Sequence, residues 1–283
     1  MNTKNYKAIC FDLDHTLLMP DKSISPKTRK NLLYLMNQGI RLIPNTGRAF
    51  HSLPESVLDL PGIEYVIVSN GAAIYHLPSQ KTIFRLNLKE DFADRLFTFL
   101  DQKGEYVTYE CFVEGQAYTS RNYYDDPADF GIPGDVEKKY VQSTRKPVPD
   151  IQEYIRNHAG VLDALDVIVL PPERDRILRE INGAFKDIYV TASVPHLIEI
   201  SHQDSGKHKA MQTLMDTLGI PLEQVIAFGD GDNDSEMLSL AGLGVAVSNA
   251  SPLCKEAADL IIGESRNEAI ADFLTDFFQI SAK

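Results

Sequence analysis

At both ends of this chain, short apolar runs stop on acidic or hydroxyl-bearing residues and give way to segments of helical period. No other feature constrains the fold as much. Residues 6–11 (YKAICF) form such a run, ending at Asp12. Ser25 and Pro26 then open a helix as N-cap and first-turn residue; Leu32, Leu33, Leu35 and Met36 supply its apolar face, and Gly39 ends it. Residues 41–44 read as a second strand, 50–58 as helix and 65–69 as a third strand. The alternation resumes with a helix at 207–218 closed by Gly219, a strand at 225–228 and a helix at 235–240. A strand at 244–247, a helix at 252–258, a strand at 260–262 and a helix at 267–278 complete it. Such alternation predicts an α/β fold, a doubly wound, Rossmann-like parallel sheet covered on both faces.

The middle of the chain breaks this rhythm. It holds a helix at 90–102, two adjacent strand-like runs at 106–111 and 116–120, then a polar stretch rich in Pro, Gly and Asp. A helix at 150–157, a strand at 165–170, a helix at 173–185 and a strand at 188–191 follow. The expectation is an α+β cap domain at 85–194, inserted in a core made of 1–84 and 195–283. A length of 283 residues suits one large domain carrying a smaller one.

In open parallel sheets, ligands bind beyond the carboxyl ends of the strands. Four polar clusters fall at such places: Asp12-Leu13-Asp14-His15-Thr16, Asn45-Thr46-Gly47-Arg48, Ser205-Gly206-Lys207 and Gly229-Asp230-Gly231-Asp232-Asn233-Asp234. If the strands are neighbours, the clusters converge. Asp12, Asp14, Asp230 and Asp234 would then raise one another's pKa and need a cation. An all-oxygen, partly hydrated ligand set suits Mg²⁺. An EF-hand calcium loop starting at Asp230 would need Glu where Ala241 stands, so calcium is not expected. Thr46 offers a hydroxyl and backbone N–H groups to an anion, a geometry that also serves plain helix capping. Lys207 supplies a second positive charge.

That local positive charge matters because the chain carries a formal net charge of −12. Such a field repels nucleic acid and anionic membranes, so neither is an expected partner. No apolar run reaches spanning length, and the N-terminal stretch after Lys4 and Lys7 is cut by Asp12 and Asp14, unlike a secretory signal. Cys10, Cys111 and Cys254 form no CxxC pair and read as buried thiols in a reducing, cytoplasmic setting.

The four clusters, in this order and spacing, resemble the four motifs of the haloacid dehalogenase superfamily of phosphatases. The inserted middle resembles the cap of its Cof-like, type IIB branch, and Asn70-Gly71-Ala72 is similar to that branch's Asn-Gly segment before the cap. The resemblance implies a hydrolase for small phosphate esters, sugar phosphates foremost and nucleotides, FMN or pyridoxal phosphate beside them. Asp12 would be the nucleophile and Asp14 the general acid and base. The Asp12 carboxylate, the Asp14 carbonyl and Asp230 would hold Mg²⁺, with Asp234 in support. Thr46, Gly47, Lys207 and Asn233 would bind the phosphoryl group, and His15, Arg48 and Asn70 are candidate substrate contacts. His15 and His208 stand where the family usually has glycine. Two alternatives use the same residues: phosphoryl transfer to a second sugar hydroxyl, as in a phosphomutase, and a non-catalytic regulator that binds phosphometabolites.

Overall fold

The computed structural model describes residues 6–132 and 134–280. The described residues divide into two compact units. One is drawn from Met1–Gly47, Leu53–Phe84 and Gly206–Lys283, the other from Arg48–Ser52 and Arg85–Ser205. No helix among the described residues is long and apolar enough to cross a membrane.

The first unit is built on strands β1 (Ala8–Phe11), β2 (Arg41–Pro44), β12 (Val225–Gly229), β13 (Leu243–Val247) and β14 (Leu260–Ile262), in the order β14-β13-β12-β1-β2. Every pairing is parallel, with Phe11 opposite both Phe228 and Pro44. β1, β12 and β13 are buried at every position, as expected of strands covered on both faces. Because β1 lies between β2 and β12 in register, the residues that follow the three strands leave the sheet at one edge. That edge carries Asp12, Asn45 and Asp230. The helix Pro26–Asn37 starts as its sequence specifies, with Ser25 Oγ accepting from Thr28 N at 3.1 Å.

The third expected strand forms, but outside the parallel sheet. β3 (Tyr65–Val68) pairs antiparallel with β4 (Ala73–His76), in a three-stranded sheet completed by β5 (Lys81–Arg85). It meets the parallel sheet through one bridge, Asn45 to Ile67. Asn45 N donates to Phe11 O at 2.9 Å, so the alternation of the strand aims Pro44 toward β3. Proline has no N–H to give there, and the ladder stops. The helix expected at 50–58 is also divided, into a 3₁₀ turn, Phe50–Ser52, and a short helix, Glu55–Leu58. Pro54 between them disfavours helical backbone at Leu53.

In the second unit β6 (Val107–Val113), β7 (Gln116–Ser120), β8 (Arg145–Val148), β9 (Leu162–Val169), β10 (Ile188–Thr191) and β11 (Leu197–His202) form one sheet, ordered β10-β11-β9-β6-β7-β8. The domain boundary expected after residue 194 falls instead between Ser205 and Gly206, because β11 pairs with both β9 and β10. The polar stretch after β7 contains the helices Arg121–Asp125 and Asp135–Thr144 and leads into β8, which runs parallel to β7. One face of the sheet packs an apolar core that includes Tyr109, Cys111, Leu165, Val167, Ile198 and Ile200. The other face carries Glu199, Asp166 and Glu110 side by side on β11, β9 and β6. All three are buried, and Arg145 meets Glu110 through two bonds of 3.0 Å.

Candidate active site

Asp12 follows β1 directly, and its backbone N donates to Phe228 O at 3.0 Å. Lys207 is the first residue of the helix Lys207–Leu218 and is 1% exposed. Its Nζ donates to Asp12 Oδ1 at 2.6 Å and to Asp234 Oδ1 at 2.7 Å. The second oxygen of Asp234, Oδ2, accepts from Asp230 N at 3.0 Å and Gly231 N at 2.9 Å, which folds the acidic loop back on itself. Gly229 makes this possible, since a Cβ there would lie 2.4 Å from Asp234 Cβ. Asp230 Oδ1 accepts from Thr16 Oγ1 at 2.7 Å. Oxygens of Asp12, Asp230 and Asp234 all lie within 4.8 Å of one another.

The electrostatics follow from this crowding. Burial raises Asp12 well above the usual carboxylate range; Lys207 opposes the rise, while Asp234, Asp230 and Asp14 add to it. Burial and the nearby Asp234 push Asp230 up to about 7, against the Thr16 hydrogen bond. Burial alone would lower Lys207, but Asp12 and Asp234 outweigh it and hold the ammonium firmly protonated. One cation faces three carboxylates. This surplus of negative charge on oxygen donors fits a hard divalent cation, and Asp12 and Asp230 are the carboxylates that could hold it, since Asp234 is committed to Lys207 and two backbone N–H groups.

The other expected site residues are placed unevenly. The carboxylate of Asp14 does not join the three-oxygen group. Lys22 Nζ donates to Asp14 Oδ1 at 2.8 Å, although Asp14 still acts on Asp12 and Asp230 as a nearby negative charge. The strand ends at Phe11, and the next residues form a tight turn over Leu13–Leu17, with His15 at φ 60. That left-handed backbone favours glycine and gives a physical reason for the family's usual residue at this position. The His15 side chain is exposed, and its carbonyl accepts from Asn249 Nδ2 at 2.9 Å. His208 Nδ1 lies 3.2 Å from Glu236 Oε2.

Thr46 and Gly47 follow β2 in the first unit, with Thr46 N donating to Ile67 O at 3.0 Å. Asn233 Nδ2 donates to Asn70 Oδ1 at 2.9 Å, so these two expected ligand contacts hold each other. Arg48 belongs to the second unit. Its guanidinium donates to Ser52 O at 2.7 Å and lies 4.8 Å from the Tyr140 ring centre. The sequence reading assigned no role to Thr16, Lys22 or Asn45. Thr16 had a signal, its fixed spacing from Asp12. Lys22 had none, because its approach to Asp14 depends on a loop in which Lys22 itself has φ 66.

The haloacid dehalogenase-like hydrolase family matches residues 9–274. The chain is 28% identical to the 5-amino-6-(5-phospho-D-ribitylamino)uracil phosphatase YitU of Bacillus subtilis, over 99% of this chain and 100% of that one. It is 29% identical to an HMP-PP phosphatase of Cronobacter sakazakii, over 94% and 93% of the two chains. Among solved structures it shares its fold with a haloacid dehalogenase subclass IIB sugar phosphatase, at a TM-score of 0.77 and 22% identity, covering 97% of this chain and 100% of that one. The chain belongs to the haloacid dehalogenase-like hydrolase family, and the relatives it resembles are named phosphatases.

Proposed function

We propose that this enzyme is a Mg²⁺-dependent phosphatase of small phosphorylated metabolites, acting through a covalent aspartyl-phosphate on Asp12. The observation that carries the reading is the Asp12–Lys207–Asp234 chain of hydrogen bonds, with Asp230 within reach of the same oxygens. Asp12 and Asp230, with the Asp14 carbonyl, would hold Mg²⁺, which when bound supplies positive charge to the phosphoryl oxygens.

The chain's own residues do the rest. Lys207 offsets the charge of Asp12, so that a carboxylate oxygen can approach an anionic phosphate and form the new P–O bond. Lys207, Thr46, Gly47 and Asn233 orient the phosphoryl group, and Asp234 keeps Lys207 in place. As the ester P–O bond breaks, Asp14 gives its proton to the departing alkoxide. Asp14 then takes a proton from water as that water attacks phosphorus, releasing inorganic phosphate and restoring Asp12. In its resting arrangement Asp14 is paired with Lys22, so it must exchange that partner for the leaving oxygen.

The inserted α+β unit is read as the cap that selects the leaving group, with sugar and polyol phosphates favoured. The 28% identical relative is named for a ribityl phosphate, a compound of that class. Three buried cysteines, Cys10, Cys111 and Cys254, suit a reducing cytoplasmic setting. The test is phosphate release from a panel of phosphorylated metabolites, with Mg²⁺ and with EDTA, for wild type and Asp12→Asn. Release should require Mg²⁺ and vanish in the variant. Release that survives either change would refute the mechanism.

A further inference from the structure

Asn45 directly follows β2, one residue before Thr46, and its side chain is completely buried, at 0% exposure. Its Nδ2 donates to the backbone carbonyl of Lys207 at 2.9 Å and lies 3.3 Å from Met237 Sδ. Among the described residues its Oδ1 has no hydrogen-bond partner. Through its backbone the same residue donates to Phe11 O and bridges Ile67. One residue thus ties the strand that leads to Asp12, through its backbone, to the helix that begins with Lys207 and the helix Ser235–Leu240 behind the acidic loop, through its side chain.

An amide is a costly choice for this space. Burying it without a partner for its oxygen is unfavourable, and an apolar side chain of similar shape would fill the site with no orphan acceptor. An apolar side chain could not donate to Lys207 O. The first turn of that helix is secured from a second side by Gly206 N, which donates to Asn70 O at 2.9 Å. Gly206 itself has φ 129, a backbone that favours glycine, so the entry to the helix is a conformation that must be held.

We propose that Asn45 is a positioning residue for the reaction: by fixing the Lys207 carbonyl, it sets where the Lys207 ammonium arrives relative to Asp12 and Asp234. This rests on the functional reading above. Asn45 acts only through Lys207 and touches no ligand, because it is fully buried. Freeing the first turn lets Nζ drift from its 2.6 and 2.7 Å contacts. A displacement of order 1 Å in a reacting group can cost roughly a hundredfold in rate. The loss falls on kcat rather than KM, because the charge of Lys207 matters most as the two anions close on each other.

The experiment compares wild type, Asn45→Leu, Asn45→Ala and, as a blank, Asp12→Asn. Steady-state hydrolysis of 4-nitrophenyl phosphate with Mg²⁺ is read together with the ¹⁵N signal of the Lys207 ammonium, assigned through Lys207→Met. Leucine nearly matches the shape of asparagine and removes both the donor and the orphan oxygen. The expected result is a kcat roughly tenfold to a hundredfold lower, with KM changed by less than about threefold. The unfolding midpoint of Asn45→Leu should be no lower than wild type, and the Lys207 signal should shift or broaden. A kcat within about threefold of wild type with an unmoved Lys207 signal overturns the proposal, as does a kcat loss that merely follows the unfolding midpoint. If wild type hydrolyses no ester at all, the phosphatase reading fails instead. The Lys207 signal in Asn45→Leu then decides the positioning claim alone.

Discussion

Replacing Lys207 with methionine would remove the one ammonium that holds the acidic cluster together while keeping most of the buried stem. In the native site Lys207 is 1% exposed and makes charge-assisted bonds of 2.6 Å to Asp12 and 2.7 Å to Asp234. Each such bond contributes about 1.5–3 kcal/mol, so the pair contributes about 3–6 kcal/mol. Breaking a buried ion pair by removing one partner costs about 3–5 kcal/mol for a related reason: the remaining charge is stranded. Here three carboxylates with oxygens within 4.8 Å would be stranded together. Asp12 already binds its proton more tightly than usual, because it is buried, and taking up that proton limits the loss. The expected destabilisation in EDTA at neutral pH is therefore about 3–5 kcal/mol, a large share of the about 5–15 kcal/mol typical of a folded domain. The chain has no tryptophan, so urea unfolding is followed by far-ultraviolet circular dichroism. Added Mg²⁺ should stabilise the variant more than the wild type, since the metal takes over part of the missing charge. A loss below about 1 kcal/mol in EDTA would mean that Lys207 is not the electrostatic keystone of the acidic cluster.

Thr16→Val removes the 2.7 Å bond to Asp230 with little change of shape, so the Mg²⁺ concentration for half-maximal activity should rise by about tenfold or more; an unchanged value would exclude an ordering role for Thr16. Arg145→Met strips Glu110 of its bidentate partner beside Asp166, and the second unit should lose about 3–5 kcal/mol in urea unfolding; a loss within about 1 kcal/mol would contradict the reading of Arg145 as the counter-ion of that acidic row. Asp163 is fully buried, and burial pushes it up to about 6 from 3.8, against the pull of Arg85. Across that window the folded state holds a proton that the unfolded state has lost. Stability should therefore fall as pH rises from 3.8 to about 6, by about 3 kcal/mol at most. Asp163→Asn should flatten this slope, and an unaltered pH profile of stability would exclude Asp163 as its source.

Local chemistry made much of the first unit legible. The apolar runs 6–11 and 225–228, followed by Asp12 and by Gly229-Asp230, read as buried strands whose exits carry charge. Ser25-Pro26 and Gly219 mark helix ends through backbone geometry that needs no distant partner. The alternation set Asp12 and Asp230 at strand exits and Lys207 at a helix entrance, a placement that brings them together if the strands are neighbours, as β1 and β12 are.

The tertiary structure decided what depends on pairing and on chain direction. Strand β11 looks like any apolar strand in sequence, yet it closes the sheet of the second unit, because which neighbour a strand hydrogen-bonds is a long-range choice. Pro44 halts the ladder toward β3 only because the register aims its missing N–H that way. Asp14 sits two residues beyond Asp12, a spacing that in a straight strand would aim both side chains alike. The turn over Leu13–Leu17 gives it to Lys22 instead. Glu110, Asp166 and Glu199 are scattered in sequence and become one buried row only through the register of β6, β9 and β11. Sequence determined which groups could carry charge out of a buried strand. Only packing decided which of those charges would meet, because the cost of burying each one depends on a partner that lies far away along the chain.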